Sequence, residues 1–225
     1  MNYVSYYGLT FIALIITLGA QFFISSTYGK YKKVSNKKAI SGCEAAKEIL
    51  EKNGLSDIYV VETRGNLTDH YDPSRKVVRL SSEVFHGESV ASVAIAAHEC
   101  GHAIQDKEGY TFMRIRSFLV PFVNLASYVG YFAIMIGVVA SLINMVWLGI
   151  LMEVVILLFQ IVTLPVEIDA SKRALNEVEK LALLNKGELD AGKKVLTSAA
   201  MTYVASVLTA ILELLRLILA FTNRD

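Results

Sequence analysis

The sequence is short of charge, of cysteine and of histidine, and each shortage narrows what it encodes. Of 225 residues, 19% are charged against 54% in the hydrophobic set, with a mean hydropathy of +0.46. That is more apolar and less charged than a soluble domain. No charged residue lies between Arg116 and Glu153, and none between Glu153 and Glu167, and gaps of that length mark membrane-spanning segments. The two cysteines, Cys43 and Cys100, lie far apart in sequence, so no disulfide framework is expected and both read as small buried residues. A net charge of +1 gives no reason to expect a nucleic-acid partner. No internal repeat is present, which argues against the paired inverted repeats common in transporters.

The apolar runs predict about four spans. Residues 8–24, GLTFIALIITLGAQFFI, follow Tyr3, Tyr6 and Tyr7, which suit an interfacial aromatic belt. No basic segment precedes the run and no small-residue cleavage site follows it, so it is expected to remain as an anchor. Lys30, Lys32, Lys33, Lys37 and Lys38 come directly after it, and the positive-inside rule then sets the N-terminus outside and the next segment in the cytoplasm. From Phe118 to Leu164 there are 47 residues with Glu153 as their single charge. One helix of that length would extend about 70 Å, more than twice a hydrocarbon core of roughly 30 Å. Two spans, 118–139 and 146–165, joined by a turn near Ala140–Met145, are therefore predicted. Glu153 falls within the second, where a helix-packing role is expected of it. Residues 167–194 are polar again and read as cytoplasmic. The run Val195–Phe221 is long enough for a fourth span, and Glu213 with Arg216 at i,i+3 leaves open whether it crosses fully or lies on the interface.

All four histidines, at 70, 86, 98 and 102, fall between residues 34 and 114. There Ser41 and Glu44 match a capping box, and Asn53-Gly54 a stop, for a helix over 42–52. DIYVVE (57–62) and KVVRLS (76–81) read as strands around a polar turn region, TRGNLTDHYDPSR. The second strand has the position either to offer unpaired backbone groups to an extended peptide or to be paired on both sides. The expected fold class is an α-helical membrane protein with an inserted α+β domain. Its predicted organisation is an N-terminal transmembrane helix (1–29), a cytoplasmic α+β domain (30–117), a transmembrane hairpin (118–166), a cytoplasmic segment (167–194) and a C-terminal transmembrane or interfacial helix (195–221).

The chemistry resides in AAHECGHAIQ, residues 96–105, where His98, Glu99 and His102 stand in the order H-E-x-x-H. On a helix, residues four apart are separated by about 40° around the axis, so both imidazoles can meet one metal ion. Glu99 sits beside them, placed to act as general base on a water molecule. The pattern points to zinc-dependent peptide hydrolysis. Cys100 is turned away from both histidines, about 160° from each around the helix axis, and is expected in the wall behind the site; Gly101 permits close approach of another helix. Catalytic zinc takes three protein ligands, so a third is needed, and His70, His86, Glu167 and Asp169 are candidates. Two spans separate the motif from Glu167, and this parity returns the chain to the same side of the membrane. An oxyanion donor could come from His70, Tyr71, Tyr110 or Arg173.

HECGHAIQ, with LTDHYDPSRKVVRLS upstream and LPVEIDASKRA downstream, resembles the YugP-type neutral zinc metallopeptidases of bacterial membranes over essentially the whole chain, and is more distantly similar to HtpX-class membrane gluzincins. In that class, the glutamate ligand is followed at the third position by alanine and at the fourth by aspartate. Ala170 fits Glu167 as the third ligand, but Ser171 stands where aspartate is expected. The carboxylate that would orient a ligand histidine is thereby unassigned, with Asp169 and Asp106 as candidates. The resemblance implies an endopeptidase of the bacterial plasma membrane that uses Zn2+, with His98, His102 and Glu167 as ligands and Glu99 as general base. Its partners would be the lipid bilayer and a peptide or protein substrate, membrane-inserted or soluble. The competing expectation is a non-catalytic membrane scaffold or adaptor with a structural metal site.

Overall fold

Hydrocarbon offers no partner for a backbone N–H or C=O, so an apolar segment that crosses a membrane satisfies them internally, as a helix. A computed structural model, which describes residues 3–222, follows that rule throughout. In chain order the elements are α1 (Tyr3–Tyr31), α2 (Gly42–Lys52), β1 (Tyr59–Thr63), β2 (His70–Asp72), β3 (Val77–Ser81), α3 (Ser82–His86), α4 (Val90–Glu108), α5 (Thr111–Val139), α6 (Ile143–Lys180) and α7 (Lys186–Thr222). Helices α1, α5, α6 and α7 are each long and apolar enough to span a membrane.

The chain forms two compact units. One comprises Met1–Gln21, Arg114–Pro165 and Thr202–Asp225. In it, α5 and the first part of α6 make a hairpin. Its turn runs through Ser141, in the left-handed region at φ 55°, at the predicted place. Glycines let the two helices pack closely: a Cβ on Gly149 would stand 2.3 Å from Cγ1 of Ile134, and one on Gly137 2.8 Å from the Val146 backbone N. Val146 and Ile150 meet Leu217 of α7 in a small core, and Glu213 pairs with Arg216 along α7. Phe118, Leu125, Tyr128 and Leu151 face outward, as lipid-facing residues do. Tyr7 is exposed, while the side chains of Tyr3 and Tyr6 lie outside the described residues.

The other unit comprises Phe22–Met113 and Val166–Met201. Helix α2 begins with the predicted capping box: Ser41 Oγ accepts from the Glu44 amide at 3.2 Å, and Glu44 Oε2 accepts from the Ser41 amide at 2.7 Å. A three-stranded sheet follows in the order β1-β3-β2, with β3 parallel to β1 and antiparallel to β2. Of the two readings of residues 76–81, the structure shows the paired one and excludes the substrate strand. Strand β3 is paired on both sides, Val77 with Tyr59 and with Asp72, so its backbone is committed to the sheet. The outer strand β2 arises within the stretch read as turn. There Asp69 accepts from both the amide and the hydroxyl of Ser81, holding β2 to the end of β3. Ile49, Leu50, Val78, Leu80, Val84, Val93 and Leu183 are buried in one core beneath α4, and Cys43 and Cys100 are free thiols within the buried set.

Candidate metal centre

Helix α4 places the motif. Ser89 caps its start, accepting from the Ser92 amide at 3.0 Å, and Gly109, in the left-handed conformation at φ 65°, ends it while its N–H meets the Asp106 carbonyl. Apolar and small residues on nearly every face bury the helix from Val90 to Gln105 with few exceptions, as SVASVAIAA suggested. Cys100 points into the wall, its thiol 3.6 Å from the Ala46 carbonyl.

The second half of the centre comes from α6. Helix α6 continues unbroken from Ile143 to Lys180 with Pro165 inside it, so Glu167 follows the predicted span 146–165 on the same helix. The packing of α4 on α6 is very close at Gly101, where a Cβ would stand 2.5 Å from the Ala170 carbonyl oxygen. Only a residue without a side chain fits there, and the contact brings residues on either side of it together. Glu167 Oε2 lies 3.2 Å from His98 Nε2 and 3.5 Å from His102 Nε2. The ligand atoms of His98, His102 and Glu167 all fall within 4.8 Å of one another, and Glu167 is 2% exposed.

These donors fit a zinc ion. Two imidazole nitrogens and a carboxylate oxygen converge, the ligand chemistry of a catalytic zinc with room for a fourth partner. The far nitrogens of the rings are already engaged: His98 Nδ1 lies 3.2 Å from Ser171 Oγ, and His102 Nδ1 lies 3.0 Å from Gln105 Oε1. Both Nε2 atoms are thereby left for the centre.

Residues 6–222 match the family described as "Putative neutral zinc metallopeptidase". The chain belongs to that family. It is 41% identical over 215 residues, covering 96% of each chain, to the protein named "Putative membrane protease YugP" in Bacillus subtilis (strain 168). No solved structure matches it. Membership accords with the site: a zinc-dependent metallopeptidase carries a histidine, histidine, glutamate cluster of this kind.

Glu99, between His98 and His102 in sequence, is buried, and its Oε2 accepts from the Tyr71 amide of β2 at 2.9 Å. Burial pushes its carboxyl up to about 7, with the charges of Glu167 and Asp69 adding to the rise against the opposing pull of His98 and the Tyr71 amide. A carboxyl in that range can both take and return a proton near neutrality.

The remaining expected residues are spread more widely. Asp169 lies behind the centre, where its Oδ2 accepts from Gln105 Nε2 at 2.8 Å and from Arg173 Nε at 2.5 Å. Asp106 accepts instead from the Tyr71 hydroxyl at 2.9 Å, so neither aspartate takes the far nitrogen of His98 or His102, which Ser171 and Gln105 occupy. His70 is exposed, with Nδ1 2.7 Å from the Thr68 carbonyl, and His86 pairs with Glu62. Arg173 is bound to Asp169 and Glu108 and lies over the Tyr110 ring. Sequence reasoning missed Gln105 and the contact of Ser171 with His98. The one signal available was Gln105 at i+3 from His102 on the motif helix.

Proposed function

We propose that the protein is a membrane-embedded zinc endopeptidase in which His98, His102 and Glu167 hold the metal and Glu99 is the general base. The observation that supports this reading is the convergence of Glu167 Oε2 on both Nε2 atoms from a helix 69 residues away in sequence from His98. When bound, zinc supplies Lewis-acid chemistry, polarising a peptide carbonyl and making water acidic enough to attack it. Glu99 accepts the proton released by the attacking water and delivers it to the departing amine nitrogen. The Tyr71 amide holds the carboxylate of Glu99 in place through Oε2 and leaves Oε1 to exchange the proton. No covalent bond to the enzyme is formed.

The lysines at 30, 32, 33, 37 and 38 support a site at the cytoplasmic face of a bacterial plasma membrane, because short basic segments beside a span stay inside. Peptide or protein chains, including membrane-inserted ones, are the substrates this placement favours.

The test uses full-length protein in detergent or nanodiscs. Parent protein should hold about one zinc per chain and cleave an unfolded protein substrate. Glu99→Gln should keep the zinc and lose at least 100-fold in rate, the scale of general-base catalysis. Parental turnover in that variant would remove Glu99 from the mechanism, and loss of zinc would recast it as a structural residue.

A further inference from the structure

Gln105 is wholly buried and is bonded to three partners. Its Nε2 donates to the Val166 carbonyl at 2.8 Å and to Asp169 Oδ2 at 2.8 Å, while its Oε1 faces His102 Nδ1 at 3.0 Å. The two ends of a side-chain amide differ only in their hydrogens, and the surrounding groups decide which end points where. A backbone carbonyl has no hydrogen to give, and the Asp169 Oδ2 that Gln105 meets already accepts from Arg173 Nε at 2.5 Å, while Arg173 Nη1 is bound to Glu108 at 2.6 Å. Two acceptors side by side require the NH2 end. The carbonyl end must therefore meet His102, and a carbonyl can only accept. His102 thus carries its hydrogen on Nδ1 and presents a bare lone pair at Nε2, the atom 3.5 Å from Glu167 Oε2.

We propose that Gln105 is a positioning residue: anchored on α6 by Val166 and by the Asp169–Arg173–Glu108 chain, it fixes the tautomer and ring orientation of His102 and so prepares Nε2 to bind the metal. The role that a carboxylate fills beside many metal-binding histidines falls here to a neutral amide, and the carboxylate stands one step further back. The arrangement also ties the two halves of the site together. The amide that orients His102 on α4 is bonded to the carbonyl of Val166, the residue before Glu167 on α6. The proposal rests on the ligand reading above, so its test includes a measurement made without metal.

Histidines labelled with 15N in the full-length, metal-free protein, at alkaline pH where imidazoles are neutral, report which nitrogen bears the hydrogen. His102, identified by the loss of its signal in His102→Gln, should be protonated at Nδ1. A hydrogen on Nε2 would overturn the proposal whether or not the protein binds zinc. In a chelator competition, Gln105→Met, which keeps the length and loses every hydrogen bond, should bind zinc about 10- to 100-fold more weakly than the parent. Parental affinity in Gln105→Met would sink the assignment. Should Gln105→Met fail to fold, the tautomer measurement on parent protein decides. Absence of zinc binding by the parent would count against the ligand set and leave the tautomer result standing.

Discussion

Gly101 of α4 and Ala170 of α6 touch backbone to backbone, so closely that a methyl group at position 101 would stand 2.5 Å from the Ala170 carbonyl oxygen. A glycine inside a helix ordinarily costs stability, and replacing it with alanine gains roughly 0.5–1 kcal/mol. Here the sign reverses, because the obstacle is backbone and cannot swing aside. Gly101→Ala should destabilise the protein by about 1–3 kcal/mol, the scale of overpacking, and should weaken zinc binding by moving Glu167 from the histidines. Gly29 of α1 has nothing within 4 Å of a built Cβ, and Gly29→Ala should be neutral or stabilising. Thermal unfolding and zinc content of the two variants check the contrast. Equal behaviour would mean that the Gly101 contact does not set the helix spacing.

Ser171 Oγ lies 3.2 Å from His98 Nδ1, the place beside a metal-binding imidazole that a carboxylate often takes. A hydroxyl can fill that place, though more weakly than a carboxylate, since hydrogen bonds to charged groups are stronger than neutral ones. Ser171→Ala should loosen zinc about 10-fold, the low end for loss of a group supporting a ligand. Ser171→Asp should hold zinc at least as tightly as the parent. Chelator competition on both variants reads the outcome, and an alanine variant with unchanged affinity would show that the hydroxyl contributes nothing to the ring.

How much of this was legible beforehand follows from the range of each interaction. The spacing of His98, Glu99 and His102 is a property of one helix, and Ser41 with Glu44 a property of one helical turn, so both could be read directly. Glu167 was reachable because counting spans is a topological argument that needs no coordinates. Strand β2 was hidden because its three residues sit among turn formers, and it is held by Asp69 and by the Tyr71 amide contact with Glu99, which are tertiary. The same holds for β3, whose pairing on both sides depends on β2. Gln105 escaped because the usual partner behind a metal-binding histidine is a carboxylate. An amide takes that place only because Val166, Asp169 and Arg173 surround it, and no local pattern foretells that.

The capping box at α2 offers a test of stability kept apart from chemistry. Ser41→Ala removes the acceptor for the Glu44 amide and should cost about 1 kcal/mol. No residue of the metal centre touches Ser41, whose side-chain bonds are to Glu44. Turnover per folded molecule should therefore be unchanged while the unfolding midpoint falls. A drop in specific activity at temperatures where the variant is fully folded would mean that α2 influences the site.

Zinc that binds the folded chain and not the unfolded one must stabilise it, by about 2.7 kcal/mol when free zinc is 100 times its dissociation constant. The unfolding midpoint of the parent should therefore fall when a chelator is added and recover when zinc is restored. Glu167→Gln keeps the size of a side chain that is 2% exposed and removes the negative charge that faces both imidazoles. It should lose most of the zinc-dependent shift. Glu99→Gln should retain the shift, because Glu99 Oε2 is held by the Tyr71 amide and its proposed work is on the proton. The pair of measurements separates holding the metal from using it. A full shift in Glu167→Gln would exclude Glu167 as a ligand, and a lost shift in Glu99→Gln would show that the two roles are not divided in this way.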